Sequence, residues 1–284
     1  MSAREPIIRN ISDTALWTAV HRARESERPD ALFHDPLARR LAGARGEQIA
    51  ASFPREQRHA WTWATRTYLF DAYIRKGVRE GVDIIVNLAA GLDTRPYRMD
   101  LPSSLLWVEG DLADLLDYKE TMLEREIPRC RLERVRMNVL DPGARRALFA
   151  DLGARAKKAL VVTEGLIIYL TPEQVGGLAR DLAEPSSFQL WALDLASPGL
   201  LRLLQRELQP RLTEGGATLQ FGPQEGPPFF LPFGWKPVEV QSLLKTAARL
   251  RRLSLLMRLL ALLPASKGAQ GSRLWSGICL FARQ

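Results

Sequence analysis

The sequence predicts an α/β protein built on a mostly parallel sheet with helices on both faces. Three observations predict it: a helical start, seven short apolar runs from residue 84 onward, and helical or looped stretches between most of those runs. Apolar strands joined by crossovers are the pattern of a sheet buried on both sides.

Taken in order, residues 12–75 repeat apolar positions at helical spacing: Ala15, Leu16, Ala19 and Ala23, then Trp61, Thr65, Tyr68 and Ala72. Asp35 followed by Pro36 supplies an N-cap and an N1 proline, which predicts a helix from there to about Gly43. The helix around Arg66 carries apolar groups on two faces and should be largely buried. A guanidinium there needs an anion, either an internal carboxylate such as Asp71 or Asp93 or the carboxylate of a ligand. The strand candidates are Ile84–Leu88, Leu105–Val108, Arg134–Val139, Leu160–Thr163, Phe188–Leu195, Lys236–Val240 and Trp275–Ala282. Residues 197–234 hold too many prolines and glycines for one continuous helix, and we read them as an insertion over the ligand edge of the sheet. Residues 241–263 form a Leu-rich helical stretch stopped by Pro264. The chain then reads as one domain over 1–284: a helical cap at 1–75, a binding core at 80–195, lid elements at 196–268 and a final strand at 269–284.

The chain has 284 residues, 46% of them hydrophobic and 25% charged, enough to bury a large core. Its two cysteines, Cys130 and Cys279, are far apart and near no histidine, which argues for a reducing compartment and against a zinc site. The start, MSAREPIIRN, has no apolar segment behind its charges, and no stretch is long enough to span a membrane, so we expect a cytoplasmic protein. The net charge is +8, and no acidic residue follows Glu239. Residues 1–239 therefore balance to zero, and the basic excess belongs to the C-terminal segment alone. That placement disfavours a nucleic-acid footprint.

In a parallel α/β sheet, ligands sit beyond the carboxyl ends of the strands. The first run ends in Asn87-Leu88-Ala89-Ala90-Gly91-Leu92-Asp93-Thr94-Arg95, where small residues let backbone amides approach a ligand as a nucleotide-binding turn requires. Glu109 and Asp111 end the second run about twenty residues on, the spacing at which an acid reaches a ribose diol; the alternative is a solvated strand-end charge. After the third run, Asn138 could bond an adenine edge while Val139 or Leu140 packs on its face. The fourth run places Glu164 at the same edge. There is no G-x-G-x-x-G, and no tyrosine has a lysine four residues later, which weakens a nicotinamide reading. Asp93, Thr94 and Arg95 are read as bracing the loop.

Three stretches, Ser12–Gly43 (SDTALWTAVHRARESERPDALFHDPLARRLAG), Thr65–Asp71 (TRTYLFD) and Val86–Arg98 (VNLAAGLDTRPYR), resemble the leucine carboxyl methyltransferase-like family. Residues 107–119 (WVEGDLADLLDYK) and 163–170 (TEGLIIYL) are similar too, so the resemblance covers roughly the first 170 residues. The family includes polyketide O-methyltransferases of the tetracenomycin type. The resemblance implies a Rossmann-like class I methyltransferase sheet with N-terminal helices and an inserted lid, and S-adenosylmethionine (AdoMet) as cofactor. It further implies that Arg66 holds the AdoMet carboxylate and that Ala89 and Gly91 form the cofactor turn. Glu109 or Asp111 would bind the ribose, Asn138 and Val139 would flank adenine, and Glu164 would line the site near the sulfonium. The sequence departs from the family at Asn138, where an acid is usual.

Methyl transfer is an in-line displacement that calls for alignment and a dry site and no metal. A carboxylate acceptor is already ionised, whereas a hydroxyl needs a base within reach. Tyr169 and Glu164 are the catalytic candidates; His21, His34 and His59 in the N-terminal helices are weaker ones. The expected acceptor is a small organic molecule. Phe229, Phe230, Phe233 and Trp235 either wall a flat acceptor or anchor the insertion. The 241–263 stretch either packs its leucines on the body, the favoured reading, or acts as a lid or membrane-surface helix. Two rival functions are an AdoMet-binding module without catalysis and a peripheral membrane protein.

Overall fold

In a computed structural model, which describes residues 12–53, 59–213, 216–262 and 273–284, the chain forms a seven-stranded sheet. Three helices precede it: α1 (Asp13–Ser26), α2 (Ala38–Ser52) and α3 (Ala60–Arg79). The strands are β1 (Ile84–Leu88), β2 (Leu106–Asp111), β3 (Arg131–Arg136), β4 (Ala159–Thr163), β5 (Phe188–Ala196), β6 (Trp235–Ser242) and β7 (Ser276–Arg283). They lie in the order β3-β2-β1-β4-β5-β7-β6. β3, β2, β1, β4 and β5 pair in parallel, while β7 runs antiparallel between β5 and β6. The order reverses between β1 and β4, and the crevice at their carboxyl ends is the switch point where such sheets bind ligands.

The crossover helices are α4 (Arg95–Arg98), α5 (Ala113–Leu123), α6 (Pro142–Arg155) and α7 (Pro172–Ala183). Their starts follow capping chemistry. Asp141 accepts hydrogen bonds from the Gly143 and Ala144 amides, and Thr171 forms a reciprocal box with Gln174. β1 and β4 are buried at every position, as strands covered on both faces must be. Alternate side chains feed two cores, one around Val86, Val108, Val161 and Trp191 and the other around Ile85, Trp107, Leu160 and Val162. Both cysteines are buried free thiols; burial pushes Cys130 up to about 11 and Cys279 higher still.

Four expectations shift. The third strand lies at 131–136 rather than 134–139, because it is an edge strand whose charges Arg131, Glu133, Arg134 and Arg136 concealed it as an apolar run. The helix expected from Asp35 starts at Ala38, since the Asp35 carboxylate pairs with Arg22 at 2.9 Å and caps nothing. It breaks at Gly43, where φ is +55°, and then continues to Ser52. Within 197–234, α8 (Pro198–Leu212) is a full 15-residue helix: Ser197 caps it and Pro198 occupies its first turn, a position where proline costs nothing. A 3-10 stretch, Pro227–Phe233, ends the segment. Lastly, 241–263 is two helices, α9 (Leu243–Arg249) and α10 (Leu255–Ala261), separated at Arg251, whose φ is +56°. Pro264 lies outside the described residues.

Candidate active site

The β1 turn carries two left-handed residues in three, Ala89 at φ 51° and Gly91 at φ 51°. Alanine pays for that conformation, so the turn is held by its surroundings. The Ala89 amide donates to Gly110 O at 2.8 Å, and the Gly91 amide donates to Asp111 Oδ2 at 2.6 Å. α1 lies across the turn: a Cβ on Gly91 would come within 3.5 Å of the Ala15 Cβ, and Arg22 donates to Leu92 O at 2.6 Å.

Below the turn sits a buried ion network. Arg95, 3% exposed, donates through Nε to Asp71 (2.6 Å), through Nη1 to Asp93 (2.7 Å) and through Nη2 reaches Glu164 (2.9 Å). Arg98 grips both oxygens of Asp71, and Asn87 donates to Asp93 at 2.9 Å. The neighbouring guanidiniums hold the Asp71 and Asp93 carboxyls below the usual range despite burial. Asp93 and Arg95 therefore brace the loop, whereas the Thr94 hydroxyl is buried with no hydrogen-bond partner among the described residues. Asp71 and Asp93 are not the partners of Arg66.

Arg66 meets the ends of β4 and β5 instead. Its Nε donates to Glu164 Oε1 at 3.0 Å and its Nη1 lies 3.5 Å from Asp194 Oδ2. Asp194 also accepts the Gly165 amide at 2.7 Å. Burial outweighs these partners and raises its pKa. Tyr169 stands beside Arg66 and hydrogen-bonds Thr14 of α1; burial raises its phenol, which stays protonated. Glu164 is clamped between the guanidiniums of Arg66 and Arg95.

At the end of β2 the two candidate acids separate. Glu109 is fully buried and accepts from Lys119 Nζ (2.7 Å) and Arg134 Nε (2.9 Å), with Lys119 equally buried. Each of its oxygens is paired with a cation and none is exposed, which tells against the ribose contact expected there. Asp111 faces the turn. It accepts the Gly91 and Leu112 amides, yet burial still raises its pKa, so its charge is only partly compensated. Asn138 is exposed two residues past β3, and its Oδ1 accepts from the Leu140 amide at 2.9 Å in a local turn. Only its amide nitrogen is uncommitted by that contact. Val139 is half-buried against the sheet core, and its carbonyl accepts from Arg145.

Other candidates fall elsewhere. Trp235 and Phe230 are fully buried, each edge-to-face with Trp191 and Phe230 also with Phe281, while Trp235 Nε1 donates to Ala179 O. Phe229 and Phe233 pack on the same core, so these aromatics anchor the insertion and wall no site. His34 and His59 are exposed. His21 is 4% exposed between Trp17 and Trp63, with neither ring nitrogen bonded among the described residues; burial and the nearby Arg24 and Arg66 lower its pKa to about 4. The sequence reading missed Asp194. Its signal was the lone acid near the end of an apolar run, Trp191-Ala192-Leu193-Asp194-Leu195. Thr14 was missed because its partner, Tyr169, is distant in sequence, and Lys119 because only the fold buries it against Glu109.

The strand order and the antiparallel β7 are those of class I AdoMet-dependent methyltransferases. The profile of the leucine carboxyl methyltransferase family matches residues 15–183. A Parafrankia protein provisionally named an S-adenosyl-L-methionine-dependent methyltransferase is 34% identical over 260 residues, spanning 85% of this chain and 82% of its own. One from Streptomyces avermitilis with the same provisional name is 33% identical over 211 residues, 69% of this chain and 73% of its own. Among solved structures, a DUF574 family protein from Streptomyces avermitilis superimposes with a TM-score of 0.61 at 14% identity, covering 94% of this chain and 97% of that one. The chain belongs to the leucine carboxyl methyltransferase family, and AdoMet is the cofactor of its class.

The residues present fit that cofactor. Asp111 and Asp194 are carboxyls that burial leaves undercompensated, and each gains from a donor. AdoMet would bring a ribose diol to the first and an ammonium to the second. Its carboxylate complements Arg66, which stands between Asp194 and Glu164.

Proposed function

We propose that this protein transfers the methyl group of AdoMet to an oxygen of a small organic acceptor, a carboxylate in the first reading. Bound AdoMet supplies a methyl carbon activated on a sulfonium, open to in-line attack. In this reading Asp111 holds the ribose, the Ala89–Gly91 turn admits the nucleoside, and Arg66 with Asp194 and Glu164 holds the methionyl group. Val139 packs on adenine, and the Asn138 amide nitrogen is the group left to meet its edge. α1 closes over the turn and excludes water.

The observation that carries the carboxylate reading is that neither of the two leading catalytic candidates, Glu164 and Tyr169, is placed to act as a base. Glu164 is engaged by two guanidiniums, and the Tyr169 phenol stays protonated. An acceptor already ionised at neutral pH needs no base, and Tyr169 would serve it as a hydrogen-bond donor. A hydroxyl acceptor is the second reading. What favours it is His21, a neutral imidazole near Arg66 with both nitrogens unbonded.

The test is to incubate the protein with methyl-labelled AdoMet and a panel of aromatic carboxylic acids and phenols, then treat the products with mild alkali. A methyl ester releases volatile labelled methanol, which is the expected result. An alkali-stable methyl ether would overturn the carboxylate reading in favour of the hydroxyl one.

A further inference from the structure

α10 turns its leucines away from the protein. Leu255, Leu256, Leu259, Leu260 and Leu262 are 78, 69, 64, 46 and 78% exposed. The helix contacts the body through Met257 and Ala261, which pack with Ala247, Leu253 and Trp61. At about 100° per residue, the five leucines sweep an arc of roughly 160°. A helix that only packs on its own domain shows the reverse, with its wide apolar face inward.

The charges around this face are of one sign. Arg258 borders the arc, its guanidinium donating to Leu253 O (3.1 Å) and Arg251 O (3.4 Å). Arg251 is exposed beside it, and α9 adds Lys245 and Arg249. No acidic residue occurs after Glu239. The acids that reach this end are spent: Glu25 and Asp30 bind Arg252 at 2.8 Å each, and Glu239 binds Lys76 at 3.1 Å.

From this apolar arc with a cationic border we infer that α9–α10 docks on an anionic lipid surface. The leucines enter the boundary between headgroups and acyl chains, and Arg251, Arg258, Lys245 and Arg249 meet the phosphates. Apolar insertion and electrostatic attraction together supply the two signals that stable peripheral binding requires. Arg252 takes no part, since its guanidinium ties α9–α10 to α1.

The experiment is co-sedimentation with vesicles of phosphatidylcholine, with and without phosphatidylglycerol, accompanied by sedimentation velocity of the free protein. The wild type should partition onto the anionic vesicles and come off in high salt. L255Q/L259Q and R251E should each bind about tenfold or more weakly, with AdoMet affinity unchanged as a control on folding. Absence of partition, equal partition onto neutral vesicles, or self-association of the wild type removed by L255Q/L259Q would overturn the inference.

Discussion

Glu109 and Asp111 lie two residues apart on β2 and carry different loads. Glu109 neutralises Lys119 in a place where neither has access to water. Removing one member of such a pair leaves an uncompensated buried charge, at a cost of about 3–5 kcal/mol. Glu109→Gln should therefore lower the unfolding free energy measured in urea by that order, and an unchanged free energy would show that the pair contributes little. Asp111 spends its oxygens on the turn amides and stays short of full compensation. The sequence offered both acids at the right spacing and could not choose, because the choice depends on Lys119 and Arg134 reaching Glu109 from α5 and β3. Arg66 teaches the same point. Its need for an anion was legible in the helix pattern, but its partners come from the ends of two strands about 100 and 130 residues away in the chain.

The strands of the interior were legible because each contains a run of apolar residues, and β1 begins and ends where its run does. β3 was misplaced because an edge strand answers to charge pairs, such as Arg134 with Glu109 and Arg155 with Glu133, more than to burial. The proline and glycine count hid α8, since Pro198 sits at a helix start, where it is tolerated. Leucine periodicity suggested one C-terminal helix, but it carries no information about the left-handed turn at Arg251. At the other end of the sheet, β7 is wedged between β5 and β6. A Cβ on Gly277 would lie 2.6 Å from Trp275 Cζ2 and 2.9 Å from Gln241 O. Gly277→Ala should cost about 1–3 kcal/mol through displacement of that backbone, measured by denaturant unfolding; a neutral effect would mean the strand end yields freely.

Across the whole molecule, stability should fall on acidification in two stages. His21 has a folded pKa of about 4, below its ordinary 6.5, so between these values the unfolded chain binds the extra proton and stability drops as pH falls. From pH 7 to pH 4 this is worth about 3 kcal/mol. Asp71 and Asp93 are depressed carboxyls; their contribution is present above the unfolded value of roughly 3.9 and is lost as pH falls through their folded values. Asp111 and Asp194 are raised and act in the opposite direction, so the histidine is isolated by difference. The stability of wild type relative to His21→Phe should decline by about 3 kcal/mol from pH 7 to pH 4. A difference that does not change with pH would mean that His21 titrates normally in the folded protein.

In the site proposed above, the crevice between β1 and β4 binds AdoMet through Asp111 on one side and Arg66 on the other. Calorimetric titration of AdoMet into the wild type, Asp111→Asn and Arg66→Gln tests it most directly. Charge-assisted hydrogen bonds are worth about 1.5–3 kcal/mol each, so saturable binding to the wild type should weaken by about tenfold or more in each variant. A folded wild type that takes up no AdoMet, or variants that bind it as tightly as the wild type, would contradict the site.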